Sequence, residues 1–392
     1  MKRWSHWVVA FIMIQAILFP HFVAAEEKKS ELADEAKSAI LIERDTGTVL
    51  YEKNSHEPLP PASMTKIMTM LLIMEAIDKG QLKMDDMVRT SEYAASMGGS
   101  QIFLEPGEEM TVEQMLEGIA IGSANDASVA LAEKIAGSED AFVKMMNQKA
   151  KKLGLKNTKF QNVTGLPADD HYSSAYDMAI MAKELLKYEE ITKFTGQYES
   201  YLRENTDKKF WLVNTNKLVR FYKGVDGLKT GYTNEAKYCL TATAVKDGMR
   251  VIAVVYGAPT PKSRNAQVSK MLDYAFNQYT THPLYKKDEK VGKVQVSKGA
   301  KNHVSVTTEE PISILTKKGE SIDNFQQDIQ LDPIIKAPLE KGDPVGKLVV
   351  KKDGKKVLET PLVAGDSVKK ASWWKLYKKV FGMYTKVVPK DS

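Results

Sequence analysis

Ser63 and Lys66 are the first residues whose types and spacing could carry out chemistry. They stand three positions apart at the start of a largely apolar run from Met64 to Ile77. Residues at i and i+3 share one face of a helix, so the two side chains should be neighbours. A serine hydroxyl needs a base within hydrogen-bond reach to act as a nucleophile. Because burial lowers the pKa of a lysine, Lys66 can be that base, and the pair predicts acyl transfer through a covalent intermediate on Ser63.

Two further polar motifs follow in the chain. Gly122-Ser123-Ala124-Asn125-Asp126 interrupts two helical runs and presents a hydroxyl and a carboxamide. The second motif, Lys229-Thr230-Gly231, lies in a strand-like run that continues to Tyr232. Lys229 offers a cation, Thr230 a hydroxyl and Gly231 a surface without a side chain on which a substrate can lie. Each motif alone fits an ordinary helix cap, turn or strand. Together they match the ordered signature Ser-x-x-Lys, Ser-Asp-Asn, Lys-Thr-Gly, with Ala124 in place of the Asp.

The segments around the first motif predict the scaffold on which it stands. Residues 39–42 and 48–51 flank Asp45-Thr46-Gly47, a pattern typical of a β-hairpin closed at a glycine. The run after Ser63 is apolar nearly all round, which indicates a buried helix with Ser63 at its N-cap. Ser63 should therefore lie where a helix begins beside the sheet.

Other helix and strand signals complete a fold-class prediction. Helix starts are indicated by a capping box at Thr111 and by capping serines at Ser138 and Ser174. Strands are predicted at 227–232, 238–245 and 249–256, followed by a helix over 262–279. Strands first, helices next and strands last favour an α+β fold, an antiparallel sheet covered by helices. From about residue 286, short alternating runs predict a small all-β domain.

Both ends of the chain have patterns of their own. Residues 1–25 combine Lys2 and Arg3, a short apolar run and Ala24-Ala25, as a signal peptide does. Residues 369–388 place aromatic and apolar side chains on one helical stripe with lysines beside it, which favours a helix lying on a membrane surface. We therefore predict a signal peptide (1–25), a catalytic domain (26–282), a β-rich domain (283–366) and an amphipathic tail (367–392). The protein is expected at the outer face of the cytoplasmic membrane.

Composition argues against other classes of function. The formal net charge is +6, but the positive excess lies at the two ends and leaves the body slightly acidic, so no nucleic-acid partner is expected. The single cysteine, Cys239, lies in a strand-like run and fits a buried structural residue. The six histidines are scattered, and His171 fits a structural or loop role. No metal and no cofactor is expected.

The three motifs and their supports make the sequence resemble the low-molecular-mass penicillin-binding proteins, specifically the D-alanyl-D-alanine carboxypeptidases. The resemblance runs from Ala36 to about Gly365 and includes residues 60–66, 171–178 and 226–231. It implies a β-lactamase/DD-peptidase-like fold and the trailing β domain. It also implies removal of the terminal D-alanine from peptidoglycan stem peptides, and covalent inhibition by β-lactam antibiotics.

The resemblance further implies a role for each motif residue. Ser63 would be the acylated nucleophile, Lys66 the proton acceptor and Ser123 the relay to the departing D-alanine. Asn125 would hold the peptide amide, and Lys229 with Thr230 the terminal carboxylate. The backbone N–H groups of Ser63 and Tyr232 would form the oxyanion hole.

Three alternatives stay open at this stage. A β-lactamase-like hydrolase would share the acylation residues, but the Glu-x-x-Leu-Asn segment that supplies a deacylating carboxylate in class A relatives is absent from the sequence. A DD-endopeptidase or transpeptidase would differ only in the bond cleaved or in the acceptor. A wall-binding protein without activity is disfavoured by the intact Ser63, Lys66 and Lys229.

Overall fold

The structure is a computed structural model that describes residues 31–374 and Tyr377. The predicted signal peptide and most of the predicted tail lie outside these residues. Within the described residues, no helix is both long and apolar enough to cross a membrane.

A five-stranded antiparallel sheet forms the centre of the fold. The hairpin of β1 (Ser38–Glu43) and β2 (Val49–Lys53) is confirmed, and Gly47 closes its turn with φ of 70°. The other strands are β7 (Val225–Thr233), β8 (Lys237–Lys246) and β9 (Met249–Ala258). The order is β2-β1-β9-β8-β7, so strands from both ends of the catalytic region meet in one sheet. Strand β7, which carries Lys229, lies at an edge.

The serine lies on a turn rather than at a helix cap. Ala62–Thr65 form a 3-10 helix, here called the serine turn, and α1 (Lys66–Asp78) follows it directly. The prediction that Ser63 is the N-cap was therefore wrong. The Met64 N–H donates to Pro61 O, an i to i+3 bond that tightens the chain before the α-helix starts. Helix α1 is buried almost all round, as predicted.

The other helices surround the sheet and α1. They are α2 (Glu92–Ala95), α3 (Val112–Gly122), α4 (Asn125–Ala136), α5 (Glu139–Lys152), α6 (Ala175–Leu185), α7 (Ile191–Thr195), α8 (Leu218–Phe221) and α9 (Pro261–Gln278). The predicted caps are confirmed: Thr111 forms a capping box with Gln114, and Ser138 and Ser174 each accept a backbone N–H of the first turn. Two short strand pairs flank them: β3 (Met87–Arg89) with β4 (Glu109–Thr111), and β5 (Glu199–Leu202) with β6 (Phe210–Val213).

The C-terminal region is all-β, as predicted. Its strands are β10 (Tyr279–Tyr285), β11 (Lys290–Ser297), β12 (His303–Thr308), β13 (Ile312–Lys317), β14 (Phe325–Leu331), β15 (Ile334–Lys336), β16 (Pro344–Lys352) and β17 (Lys355–Ala364). Its core consists of Val, Ile, Leu and Ala side chains. Strand β10 pairs with β13 and spans the predicted domain limit at 282. Past the limit at 366, Val368 and Ala371 still bond to this region through backbone groups. The exact domain limits stay a prediction.

Candidate active site

The structure brings the three motifs together around the serine turn. Ser63 is half-buried, and its Oγ lies 3.3 Å from Nζ of Lys66. On one side, β7 approaches so closely that a Cβ on Gly231 would lie 2.8 Å from Pro61 O and 3.2 Å from Met64 N. We predicted that Gly231 offers a surface to the substrate. That role stays a prediction. The missing side chain of Gly231 also leaves room for the serine turn, because any Cβ there would collide with the turn's backbone.

Lys66 is fully buried and is held by two oxygen atoms besides that of Ser63. Its Nζ donates to Asn125 Oδ1 at 2.6 Å and to the Thr164 backbone carbonyl at 2.7 Å. Burial, followed by the charge of Lys229, lowers its pKa well below the usual value, against an opposing contribution from Asp126. A neutral amine has two N–H bonds and one lone pair. With both N–H bonds directed at oxygen atoms, the lone pair is left for the Ser63 hydroxyl.

Ser123 lies at the end of α3, in the turn that the sequence predicted. It is the C-cap residue with φ of 64°, in the left-handed region, and it is buried. Its Oγ has no hydrogen-bond partner among the described residues. A buried hydroxyl without a partner costs free energy, typically ~1–3 kcal/mol, so a substrate that binds it would recover that cost.

Asn125, the first residue of α4, is fixed by the loop of residues 98–104. Its backbone N–H donates to Ser100 O at 2.7 Å, and its Nδ2 donates to Gly98 O at 2.6 Å. These bonds leave Oδ1 facing Lys66. The loop itself is held by the buried carboxylate of Asp126, which accepts the backbone N–H groups of Ile102 and Leu104.

Lys229 and Thr230 lie on β7 as predicted. Lys229 is buried, and its Nζ donates to Thr230 O at 3.1 Å. Burial, followed by the charge of Arg264, lowers the pKa of Lys229 to about 7. The Thr230 hydroxyl bonds to Oγ1 of Thr215 at 2.7 Å. The side chain of Tyr232 is 50% exposed, its ring centroid lies 4.5 Å from that of Tyr238, and its hydroxyl donates to Asn234 Oδ1.

One loop that contributes to the site was missed by the sequence reasoning. The Asn162 side chain accepts the N–H groups of Thr164 and Gly165, an Asx-type turn that aims Thr164 O at Lys66. Gly165 has φ of 83°, and a Cβ there would lie 1.8 Å from Ala62 O. The backbone of this loop therefore lies directly against the serine turn. The Asn-Val-Thr-Gly pattern was a turn signal that would have found the loop, although not its target.

A cleft opens beside the serine turn. It has a volume of about 500 Å³ and includes Ala62, Gly165 and Thr233 in its lining. Among the described residues, no group of three His, Cys, Asp or Glu side chains is placed to hold a metal ion. Cys239 is buried, and burial raises its pKa to about 11, so its thiolate is disfavoured. The candidate reactive groups are thus Ser63, Lys66, Ser123 and Lys229, which are not among the residues that line this cleft.

The fold and the arrangement of Ser63 with a buried lysine together fit a serine acyl-transfer enzyme. Residues 24–260 match the D-alanyl-D-alanine carboxypeptidase family, and residues 279–370 match the family described as "Penicillin-binding protein 5, C-terminal domain". The chain belongs to the D-alanyl-D-alanine carboxypeptidase family and is a serine-type D-Ala-D-Ala carboxypeptidase. The resemblance inferred from the motifs and the predicted fold class are confirmed.

Individual relatives agree with this family over most of the chain. The chain is 65% identical over 387 residues to the D-alanyl-D-alanine carboxypeptidase DacF of Bacillus subtilis strain 168, covering 98% of this chain and 100% of DacF. The structure of penicillin binding protein 5 from Haemophilus influenzae is 32% identical with a TM-score of 0.67, over 86% of this chain and 98% of that one. Penicillin-Binding Protein D2 from Listeria monocytogenes in its ampicillin-bound form is 32% identical with a TM-score of 0.53, over 62% and 98%.

Proposed function

We propose that Ser63 carries the acyl group in the carboxypeptidase reaction and that Lys66 is its base. The observation that carries this assignment is the buried Lys66 amine, 3.3 Å from Ser63 Oγ with two other oxygen atoms taking its N–H bonds. Ser63 Oγ attacks the carbonyl carbon of the penultimate D-alanine while its proton passes to Lys66 Nζ. The backbone N–H groups of Ser63 and Tyr232 stabilise the oxyanion.

The remaining motif residues bind the substrate and complete the turnover. When the intermediate collapses, the C–N bond breaks and the unpartnered Ser123 hydroxyl gives its proton to the nitrogen of the leaving D-alanine. Ser123 in turn takes up the proton that Lys66 accepted from Ser63, so that the hydroxyl and the neutral amine are both restored. Asn125 holds the peptide amide, while Lys229 and Thr230 bind the terminal carboxylate. Water then attacks the acyl carbon and gives a proton to the neutral Lys66 amine. Lys66 returns that proton to Ser63 Oγ as the ester C–O bond breaks, which releases the shortened peptide and restores the Ser63 hydroxyl.

The assignment is tested with a peptide ending in D-Ala-D-Ala. Wild-type protein should release D-alanine, and Ser63→Ala should lose at least ~10³-fold in kcat because the nucleophile is gone. Ser321→Ala, at an exposed serine of the C-terminal region, is the matched control and should keep full activity. Full activity in Ser63→Ala would overturn the proposal.

We further propose that β-lactam antibiotics acylate the same serine and leave it slowly. The ampicillin-bound Listeria relative supports this. A labelled penicillin should attach to the wild-type protein one to one and persist after the free label is removed. Rapid turnover of penicillin without a lasting adduct would instead favour a β-lactamase.

Finally, we propose that the protein is exported and that residues 369–388 bind the outer face of the cytoplasmic membrane. Trp373 and Trp374, where the described tail begins to turn helical, are 73% and 65% exposed, and they form an aromatic cluster with Tyr377. Exposed tryptophans next to lysines suit a lipid interface. The full chain should co-sediment with vesicles containing anionic phosphatidylglycerol, and Trp373→Ala/Trp374→Ala should reduce that binding. Equal sedimentation of both proteins would count against a role for this segment.

A further inference from the structure

His171 lies outside the three motifs, yet it contacts the serine turn. It is buried, and its Nε2 lies 2.8 Å from Oγ1 of Thr65, the residue just before Lys66. On the other side of the ring, the backbone N–H of Gln161 donates to Nδ1 at 3.1 Å. The ring of Phe160 packs edge-on against the imidazole, with centroids 5.9 Å apart. One imidazole thus links the loop of residues 159–172 to the turn that carries Ser63.

These contacts fix the tautomer of the ring. A backbone N–H can only donate, so Nδ1 accepts and the ring proton lies on Nε2. Nε2–H therefore donates to Thr65 Oγ1. Burial lowers the pKa of His171 to about 4, which keeps the ring neutral and the hydrogen bond in this direction near pH 7. The Gln161 N–H and the Phe160 ring thus hold the imidazole in place, and its Nε2–H donates to Thr65 Oγ1.

The same loop meets the serine turn at a second place. Thr164 O accepts from Lys66 Nζ, and Gly165 lies against the backbone of Ala62. Thr65 is fully buried between these contacts, next to Lys66 and two residues after Ser63. A shift of the Thr65 side chain would move Ser63 Oγ and Lys66 Nζ relative to Thr164 O. Misplacement of reacting groups by about 1 Å is enough to cost ~10²-fold in rate.

We propose that His171 is a positioning residue that holds the serine turn in register with the loop of residues 162–165, through the Nε2–H bond to Thr65. The proposal rests on the assignment of Ser63 as the acylated residue. Its consequence is that loss of the Nε2 donor slows acylation, while loss of the Nδ1 acceptor alone does not.

Two substitutions at His171 separate the role of the Nε2 donor from that of the Nδ1 acceptor. In His171→Gln, the side-chain Nε2 keeps a donor that reaches Thr65. In His171→Asn, the Oδ1 atom keeps the acceptor for the Gln161 N–H but the side chain is too short for Thr65. The rate constant for acylation by a fluorescent penicillin is measured by stopped flow at increasing concentrations, which separates binding from acylation. We expect the acylation rate constant to fall ~10- to 100-fold in His171→Asn and at most ~3-fold in His171→Gln, with binding of the penicillin little changed.

The other end of the bond gives an independent test if a His171 variant fails to fold, as judged by thermal melting. Thr65→Val removes the acceptor at nearly constant volume, and Thr65→Ser keeps it. Thr65→Val should slow acylation as much as His171→Asn does, and Thr65→Ser should acylate at close to the wild-type rate. In the double variant His171→Asn/Thr65→Val, the effects should not add, because both changes remove one bond.

The outcomes distinguish this inference from the assignment on which it rests. Equal acylation rates in His171→Asn and His171→Gln, or fully additive effects in His171→Asn/Thr65→Val, would overturn the positioning role of His171. In that case Ser63→Ala would still fail to label. Labelling of Ser63→Ala at the wild-type rate would instead overturn the assignment of Ser63.

Discussion

The serine turn and the C-terminal β region are built in opposite ways. Around the turn, the buried residues include Lys66, Lys229, Asn125 and Asp126, and two glycines allow backbones to touch. The core of the β region is made of aliphatic side chains. Buried polar and charged groups are costly unless every one is bonded, whereas aliphatic packing is stabilising by itself. We infer that the catalytic region gives up stability for reactivity, and that changes there should affect activity far more than equal changes in the β region.

The largest difference is expected from one glycine in each region. Gly165→Ala places a Cβ 1.8 Å from Ala62 O, which must displace the serine turn, so acylation should fall by more than ~10²-fold. Gly319→Ala is the matched control, because Gly319 has a similar φ of 85° with nothing within 4 Å of the new Cβ. It should cost only the ~1–2 kcal/mol of a left-handed alanine and leave acylation unchanged. Penicillin labelling rates and melting curves measure both. Similar acylation rates in Gly165→Ala and Gly319→Ala would contradict the proposed difference between the catalytic region and the β region.

A carboxylate in each region gives the next effect. Asp126→Asn puts an amide NH₂ among backbone N–H donors, costing ~1–3 kcal/mol and loosening the loop that orients Asn125. Acylation should fall ~10-fold or more. Asp328 is half-exposed, pairs with Lys351 at 3.9 Å and accepts from Gln330 Nε2. Asp328→Asn should therefore change stability by less than ~1 kcal/mol and acylation not at all. Urea unfolding and penicillin labelling rates are measured for both variants. An Asp126→Asn protein with wild-type stability and acylation rate would refute the role of Asp126 in holding the loop.

The pH dependence should reflect the buried lysines of the site. In its proposed role, Lys229 binds a carboxylate only when protonated, and burial lowers its pKa to about 7. As the pH rises through that value the charge is lost, so kcat/KM for a carboxylate-ended peptide should fall, approaching tenfold per pH unit. In its proposed role as the base, Lys66 must be neutral. Because its pKa is lowered, the fall in kcat/KM on the acid side of the pH profile is shifted to lower pH. In Lys229→Arg, whatever activity remains should lose the alkaline limb, because arginine stays charged. A flat profile from pH 6 to 9 in the wild type would contradict the role of Lys229.

The smallest effect on activity is expected from the aliphatic core. Leu348→Ala removes a fully buried side chain of β16 and should lower the free energy of unfolding of that region by ~2–5 kcal/mol. The acylation rate should stay unchanged at temperatures where the variant is folded. A parallel loss of acylation would show that the two regions are energetically coupled and that the contrast between them is too simple.

Sequence patterns predicted the parts of this molecule that depend on neighbouring residues. The hairpin, the caps at Thr111, Ser138 and Ser174, and the pairing of Ser63 with Lys66 all follow from local spacing. The 3-10 turn was missed because the bond from Met64 to Pro61 replaces the expected N-cap. Thr164 and the contact of His171 were missed because their partners, Lys66 and Thr65, are 98 and 106 positions away. Such contacts arise from tertiary packing, on which local periodicity carries no information.

The most direct test of the central claim is to locate the acyl group. After reaction with penicillin, tryptic digestion should give the peptide of residues 54–66 with one added antibiotic, and fragmentation should place it on Ser63 rather than on Ser55 or Thr65. We expect this single site, with no adduct in Ser63→Ala. An adduct elsewhere in the chain, or on Ser55 in the same peptide, would contradict it.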